Sequence, residues 1–141
     1  MKPDVQTLWD IEQIKQLKAR YFRAMDTKQW DGFEELWASD AVAGRGDAAL
    51  RGRQAIVDYI VGQSERARTV HHGHMPEIEI LPDGTAHGVF AMFDSYEEIA
   101  GDPPKGFTGF GHYHDTFVVE DGEWRIASTV SGCIGRRGAR G

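Results

Sequence analysis

The stretch from residue 107 to residue 134, FTGFGHYHDTFVVEDGEWRIASTVSGCI, decides the fold class. Two runs rich in β-branched and aromatic residues flank Asp121 and Gly122, a dipeptide typical of a tight hairpin turn. Side chains alternate between the two faces of a strand, so one face of the first run carries Gly109, Gly111, Tyr113, Asp115 and Phe117. We therefore expect a hairpin at the centre of a curved sheet, with this face forming a pocket wall.

Apolar residues recur at helical spacing in three segments before this hairpin. These segments cover residues 8–25, residues 30–37 and about residues 53–67, and each predicts a helix packed by one face. The period changes to two from Val70 onward, which predicts strands over residues 70–80 and 85–99. Residues 101–106 are rich in Gly and Pro and predict a flexible loop, a candidate lid.

Helices followed by consecutive strands are the order of an α+β protein. We expect a cone-shaped α+β barrel, with three N-terminal helices packed in the concavity of a curved, mostly antiparallel sheet. Residues 1–134 then form a single domain, and the Arg- and Gly-rich residues 135–141 form a flexible tail. A cone of this kind leaves a pocket suited to a small ligand.

Composition limits the classes of partner that the protein can bind and the cellular location that we expect. The formal net charge is −6 and the chain lacks a basic stripe, so we expect no nucleic-acid partner. No apolar run approaches the roughly 20 residues that span a bilayer, so we expect no membrane association. The N-terminus leads into a charged helix, and Cys133 has no second cysteine with which to form a disulfide. We therefore expect a cytoplasmic protein.

The chain resembles the SnoaL-like family of the nuclear transport factor 2-like superfamily. The resemblance rests on five stretches: RYFRAMDTKQWDGFEELWASDA from residue 20, RGRQAI from residue 51, VHHGHMPEIEI from residue 70, GHYHDTFV from residue 111 and GEWRI from residue 122. It implies the cone-shaped fold and a homodimer or higher homo-oligomer. The superfamily includes dehydratases, isomerases, cyclases and non-catalytic binding domains, so the fold alone does not determine the activity.

The resemblance implies a catalytic pair in which a His of the first long strand meets an Asp from the end of the first helix. Asp26 and His71 match these positions, although His72 leaves the choice of base open by one residue. A neutral imidazole can remove a proton next to a carbonyl, and a carboxylate on its other nitrogen fixes the tautomer. Without the family pattern, Asp26 could simply cap the second helix and His71 could be structural.

Two further polar residues are candidates for the same pocket. Tyr21 either hydrogen-bonds a substrate oxygen or is a core aromatic residue. Asp94 shares an inward strand face with Phe90 and Met92, where apolar neighbours would raise its pKa, unless it lies in solvent near the strand end. We expect all three residues of this strand face to contact the substrate.

The central hairpin supplies Tyr113 and Asp115 as further substrate-binding candidates. Asp115 resembles the acidic hydrogen-bond donor of the isomerase members, but it could instead pair with Arg125 across the hairpin, which we favour slightly. His112 and His114 share the opposite face. They resemble only part of a metal motif, so we expect no metal and instead self-association through this face.

These residues predict a cofactor-independent lyase or isomerase of the dehydratase type. A His-Asp dyad would abstract a proton next to a carbonyl in a small hydrophobic molecule, with no cofactor. The alternative is a non-catalytic domain of the same fold that binds a small ligand or serves in assembly.

Overall fold

The structure is a computed structural model that describes residues 2–138. Two helices pack on one six-stranded mixed sheet that does not close, which confirms the predicted α+β class. Its strand order is β2-β1-β6-β5-β4-β3, and each neighbouring pair is antiparallel except β1 with β6. The elements are α1 (Val5–Thr27), β1 (Trp37–Ala43), β2 (Leu50–Arg51), α2 (Arg53–Ser64), β3 (Ala67–Ile80), β4 (Ala86–Gly101), β5 (Pro104–Glu120) and β6 (Glu123–Gly138).

Helix α1 begins after Asp4, whose carboxylate accepts a hydrogen bond from the Thr7 amide at 2.7 Å. It ends at Lys28, which adopts the left-handed conformation with φ of 59° and donates its backbone N–H to Ala24. One face of the helix is buried against the sheet and consists of Ile14, Leu17, Lys18, Tyr21, Phe22 and Met25. The predicted apolar face is therefore present, with a lysine inside it.

The predicted second α-helix is wrong. Residues 33–36 form a single 3₁₀ turn, and strand β1 follows directly from Trp37. Gly32 precedes the turn with φ of 74°, a conformation that an α-helix cannot contain. Phe33 and Trp37 are both fully buried, so the helix-like spacing of aromatic residues reflects a turn that fills the core. The sheet is therefore covered by two α-helices and not by three.

The central hairpin is confirmed. Asp121 and Gly122 both have positive φ and connect β5 to β6, with Glu120 opposite Glu123. Tyr113, Asp115 and Phe117 are buried on the inner face, which is the face that α1 covers. A β-bulge interrupts β6, because Gly111 lies opposite Cys133 whereas Phe110 lies opposite Gly135, which leaves Ile134 as an extra residue.

Two segments expected to be flexible are parts of strands. β4 extends through Gly101 and β5 begins at Pro104, so a turn of two residues replaces most of the predicted lid. β6 continues to Gly138, which lies opposite Phe107, so residues 135–138 are not a tail. Residues 139–141 of the predicted tail lie outside the described residues. Within residues 2–138, neither helix has the length and hydrophobicity that crossing a membrane requires.

Candidate active site

The last turn of α1 and the first half of β3 meet through Asp26 and His71. Asp26 Oδ1 lies 2.7 Å from His71 Nδ1, and Asp26 Oδ2 accepts a hydrogen bond from the His71 backbone amide at 2.8 Å. Thr69 Oγ1 also donates to Asp26 Oδ1, at 3.0 Å. The Asp26 carboxylate therefore joins the helix to β3. It does not cap a second helix.

The surroundings of the imidazole hold its ring in one plane. Phe22 stacks on His71 with ring centroids 6.1 Å apart and an interplanar angle of 8°. Gly73 makes room for this contact, because a Cβ atom at Gly73 would lie 2.6 Å from Phe22 Cε2. The His71 side chain retains 18% exposure, whereas His72 is exposed on the opposite face beside Phe93. Of the two histidines, His71 is the one whose imidazole contacts Asp26.

Lys28 compensates the unfavourable position of a carboxylate at a helix C-terminus. Its ammonium donates to the Met25 carbonyl at 3.0 Å and to Thr69 Oγ1 at 3.1 Å. Burial lowers the pKa of Lys28, and the charge of Asp26 acts against that shift. A cation therefore lies near the Asp26 carboxylate and close to the last carbonyl groups of the helix.

Asp94 lies directly opposite His71 in the β3–β4 register. The Tyr113 hydroxyl donates to Asp94 Oδ2, and Asp94 Oδ1 is buried without a hydrogen-bond partner among residues 2–138. Burial raises the pKa of Asp94, while the Tyr113 hydrogen bond and the charge of His71 act to lower it. Burial and the nearby Asp94 charge raise the pKa of Tyr113, so this phenol remains protonated.

Tyr21 is a buried aromatic residue of α1. Its ring lies 5.7 Å from Phe33 and 5.5 Å from Trp37, centroid to centroid. Burial is the main cause that raises its pKa, followed by the charge of Asp115, so the hydroxyl of Tyr21 is a neutral hydrogen-bond donor. Tyr21 thus has the packing of a core residue and the protonation state of a donor.

The partner of Asp115 is Lys18, a residue that sequence reasoning missed. Lys18 Nζ lies 2.6 Å from Asp115 Oδ2 as an ion pair not aligned as a hydrogen bond, and the two side chains are 1% and 0% exposed. Thr129 Oγ1 donates to the other oxygen of Asp115 at 2.6 Å. The predicted pairing with Arg125 is wrong, because the Arg125 guanidinium donates to the Glu35 carbonyl. The sequence signal that could have revealed Lys18 is its position four residues after Ile14, inside the apolar face of α1.

A cavity of about 470 Å³ lies between α1, α2 and the sheet. Tyr113 forms part of its wall, and the Tyr113 hydroxyl contacts Asp94. This residue therefore links the cavity to Asp94, which lies opposite His71. The lining does not include His71, Asp26 or Asp94, and Phe90 and Met92 are buried in the core instead. The lining residues are Tyr21, Ala43, Gly44, Ala48, Leu50, Ile56, Tyr59, Ile60, Tyr113, Thr129 and Ser131.

His112 and His114 lie on the outer face, with ring centroids 6.4 Å apart. Within the part of the chain that the structure describes, no three His, Cys, Asp or Glu side chains are grouped so that they could hold a metal ion.

Residues 6–130 match the SnoaL-like domain family, which is most of the chain. The protein is a member of the SnoaL-like family. Solved structures of the same fold include a putative scytalone dehydratase from Novosphingobium aromaticivorans, with 19% identity, a TM-score of 0.81, and coverage of 92% of this chain and 87% of the other.

Two other solved structures have similar folds. A hexachlorocyclohexane dehydrochlorinase from Novosphingobium barchaimii has 15% identity and a TM-score of 0.83, covering 99% of this chain and 96% of the other. A protein of unknown function from Mycobacterium tuberculosis has 26% identity and a TM-score of 0.77, covering 94% and 76% respectively. The predicted family and its cone-shaped fold are thus confirmed.

Proposed function

We propose that this SnoaL-like protein is a cofactor-independent lyase or isomerase in which His71 removes a proton next to a carbonyl. The observation that carries the proposal is the 2.7 Å contact between Asp26 Oδ1 and His71 Nδ1. Two structural relatives bear the names of a dehydratase and a dehydrochlorinase, and both names denote eliminations. The substrate is a small hydrophobic molecule, as the largely apolar cavity of about 470 Å³ suggests.

The dyad performs the first proton transfer. The ionised Asp26 carboxylate holds the proton of His71 on Nδ1, which leaves Nε2 free to accept the substrate proton. Breaking the C–H bond moves its electron pair into the carbonyl group and forms an enolate. The carboxylate stabilises the imidazolium that results, because the two opposite charges are in direct contact.

Neutral hydrogen-bond donors then stabilise the enolate oxygen. The hydroxyl of Tyr21 is one such donor, and Asp94, whose carboxyl pKa is raised by burial, is the second polar group that we assign to the enolate or the leaving group. Tyr113 holds Asp94 in place through its hydrogen bond. The enolate either expels a β-hydroxyl group, which takes the proton from the imidazolium and leaves as water, or is reprotonated at another carbon.

A second candidate function is a binding domain without catalysis. It is favoured by the absence of His71 and Asp26 from the lining of the cavity. In either case we propose a homodimer formed through the outer sheet face, where Phe93 and Phe110 are exposed next to His72 and His112. The cytoplasmic location stays a prediction.

The experiment measures exchange of C–H protons for deuterium in a panel of small hydrophobic ketones, followed by NMR in D₂O. Wild-type protein should accelerate exchange for at least one ketone, and His71→Asn should abolish it. His72→Asn is the matched control, since it removes the neighbouring imidazole from the opposite face. Unchanged exchange in His71→Asn would reject His71 as the base. Binding of a ketone without exchange by the wild type would favour the second function.

A further inference from the structure

Four neighbouring strands contribute one row of residues to the inner face of the sheet. His71 lies opposite Asp94, Asp94 lies opposite Gly109, and Gly109 lies opposite Arg136. Directly paired residues project to the same face, so Arg136 lies on the same face as the proposed base. With strands about 4.8 Å apart, the Cα atoms of this row span roughly 14 Å from β3 to β6, the length of a small ligand.

Gly109 leaves the middle of this row without a side chain. A Cβ atom there would make only ordinary contacts, 3.8 Å from Cys133 Sγ and 3.9 Å from the Phe107 ring, so neither crowding nor positive φ requires glycine. At Gly111, by contrast, crowding does require glycine, because a Cβ atom there would lie 1.9 Å from the Gly132 carbonyl oxygen. Glycine weakens a strand interior and often marks close approach of a ligand. Gly109 thus contributes no side chain between Asp94 and Arg136, although its own backbone is buried.

Arg136 is held in place at the far end of the row. Its guanidinium carbon lies 3.7 Å from the centroid of the Phe107 ring, which itself stacks on Tyr96 at 5.4 Å. No carboxylate of residues 2–138 lies within ion-pair distance of Arg136. A guanidinium stacked on an aromatic ring, with its N–H groups not used by an acidic residue, is suited to bidentate binding of a carboxylate.

We propose that Arg136 binds an anionic oxygen group of the ligand, so that the substrate is a hydrophobic carboxylate. Its carboxylate contacts the guanidinium, and its acidic C–H group faces His71 on the same face of the sheet. The role of His71 in this arrangement rests on the proposed function. The anion site itself does not, because ligand binding can be measured without turnover.

The test compares two ligands that differ only in charge, naphthalene-2-acetate and its neutral amide, by isothermal titration calorimetry. Wild-type protein should bind the acetate roughly tenfold tighter than the amide, since a charge-assisted hydrogen bond contributes that much. Arg136→Gln should remove this preference and leave binding of the amide unchanged. Arg137→Gln is the matched control, because the next residue carries the same charge on the outer face, and it should keep the preference.

Two results would overturn the proposal. The first is a preference for the acetate that survives in Arg136→Gln. The second is a wild-type protein that binds both compounds equally or does not bind the acetate at millimolar concentration.

His71→Asn separates this inference from the proposed function. This variant should lose deuterium exchange but keep the preference for the acetate, because Arg136 does not depend on the imidazole. A lost preference in Arg136→Gln combined with unchanged exchange in His71→Asn would support the anion site and reject the base. The opposite pair of results would support the base and reject the anion site.

Discussion

The Asp26 carboxylate accepts hydrogen bonds from both the imidazole and the backbone amide of His71, at 2.7 and 2.8 Å. The two contacts involve different oxygens of Asp26, so the carboxylate plane and the imidazole are oriented together. A base held in this way loses little orientational freedom when a substrate arrives. The same contacts fasten the end of α1 to β3, which links the proposed catalytic group to the stability of the fold.

Asp26→Asn should lower the rate of deuterium exchange by about two to four orders of magnitude, because the neutral amide neither fixes the tautomer nor stabilises the imidazolium. The exchange assay measures the rate, and urea unfolding shows whether the protein remains folded. Asp40→Asn is the control, since Asp40 is an exposed acidic residue of β1. Equal rates in the two variants would show that Asp26 has only a structural role.

Stability should depend on pH through Asp94. Burial raises the pKa of its carboxyl above the ordinary value of 3.8, so the folded state binds this proton more tightly than the unfolded state. The contribution of Asp94 is therefore most favourable below pH 3.8 and is lost as the pH rises through the folded-state pKa. Asp94→Asn removes this titration, so its stability relative to wild type should increase as the pH rises from 3.8 through the folded-state pKa.

Urea unfolding of both proteins at several pH values measures this difference. Asp83→Asn is a suitable comparison, since hydrogen bonds from Thr85 lower the pKa of this exposed carboxyl. Its effect should have the opposite sign, because it removes a group whose contribution is present above the unfolded-state pKa and is lost in acid. A pH-independent difference between Asp94→Asn and wild type would contradict the raised pKa.

Lys18→Met should destabilise the fold by about 3–5 kcal/mol, because it leaves the Asp115 carboxylate buried without a cation. The double variant Lys18→Met with Asp115→Asn should recover much of that loss, since no uncompensated charge then remains. Lys15→Met changes an exposed lysine of the same helix and should have a small effect. Urea unfolding measures all three, and additive losses in the double variant would exclude a coupled pair.

Gly73→Ala should displace the Phe22 ring from His71, because the new Cβ atom would lie 2.6 Å from Phe22 Cε2. We expect a loss of about 1–3 kcal/mol, typical of overpacking, together with slower deuterium exchange. Gly62→Ala is the matched control in α2, where nothing lies within 4 Å, and it should stabilise the helix by up to about 1 kcal/mol. Equal stabilities of the two variants would show that Phe22 relaxes freely.

Local sequence patterns predicted the parts of the fold that depend on residues close together in the chain. Asp121 and Gly122 identified the hairpin because few residues tolerate positive φ, and strand alternation placed Tyr113 and Asp115 on the inner face. The short distance between Asp26 and His71 was expected only through the family resemblance. Their 45-residue separation in the chain carries no local signal.

The failures have physical causes as well. Phe33 and Trp37 have helical spacing, but the positive φ of Gly32 interrupts a helix before them. Both rings are buried in the core, and this burial determines the local conformation. Lys18 could not be paired with Asp115 from sequence, because a contact between a helix and a distant strand depends on how the two elements pack. The Gly-rich segment at the end of β6 was expected to be a tail, since its pairing with β5 depends on partners rather than on its own propensity.

The bulge at Ile134 determines which of the two consecutive arginines, Arg136 or Arg137, faces inward. If β6 paired without the bulge, Ile134 would lie opposite Phe110, and Arg136 would lie opposite Thr108 on the outer face. The same register would bring Arg137 opposite Phe107, so a guanidinium would still face inward. The doublet therefore keeps a cationic side chain on the inner face in both registers, whereas a slip of one residue moves the side chains of most strands to the other face.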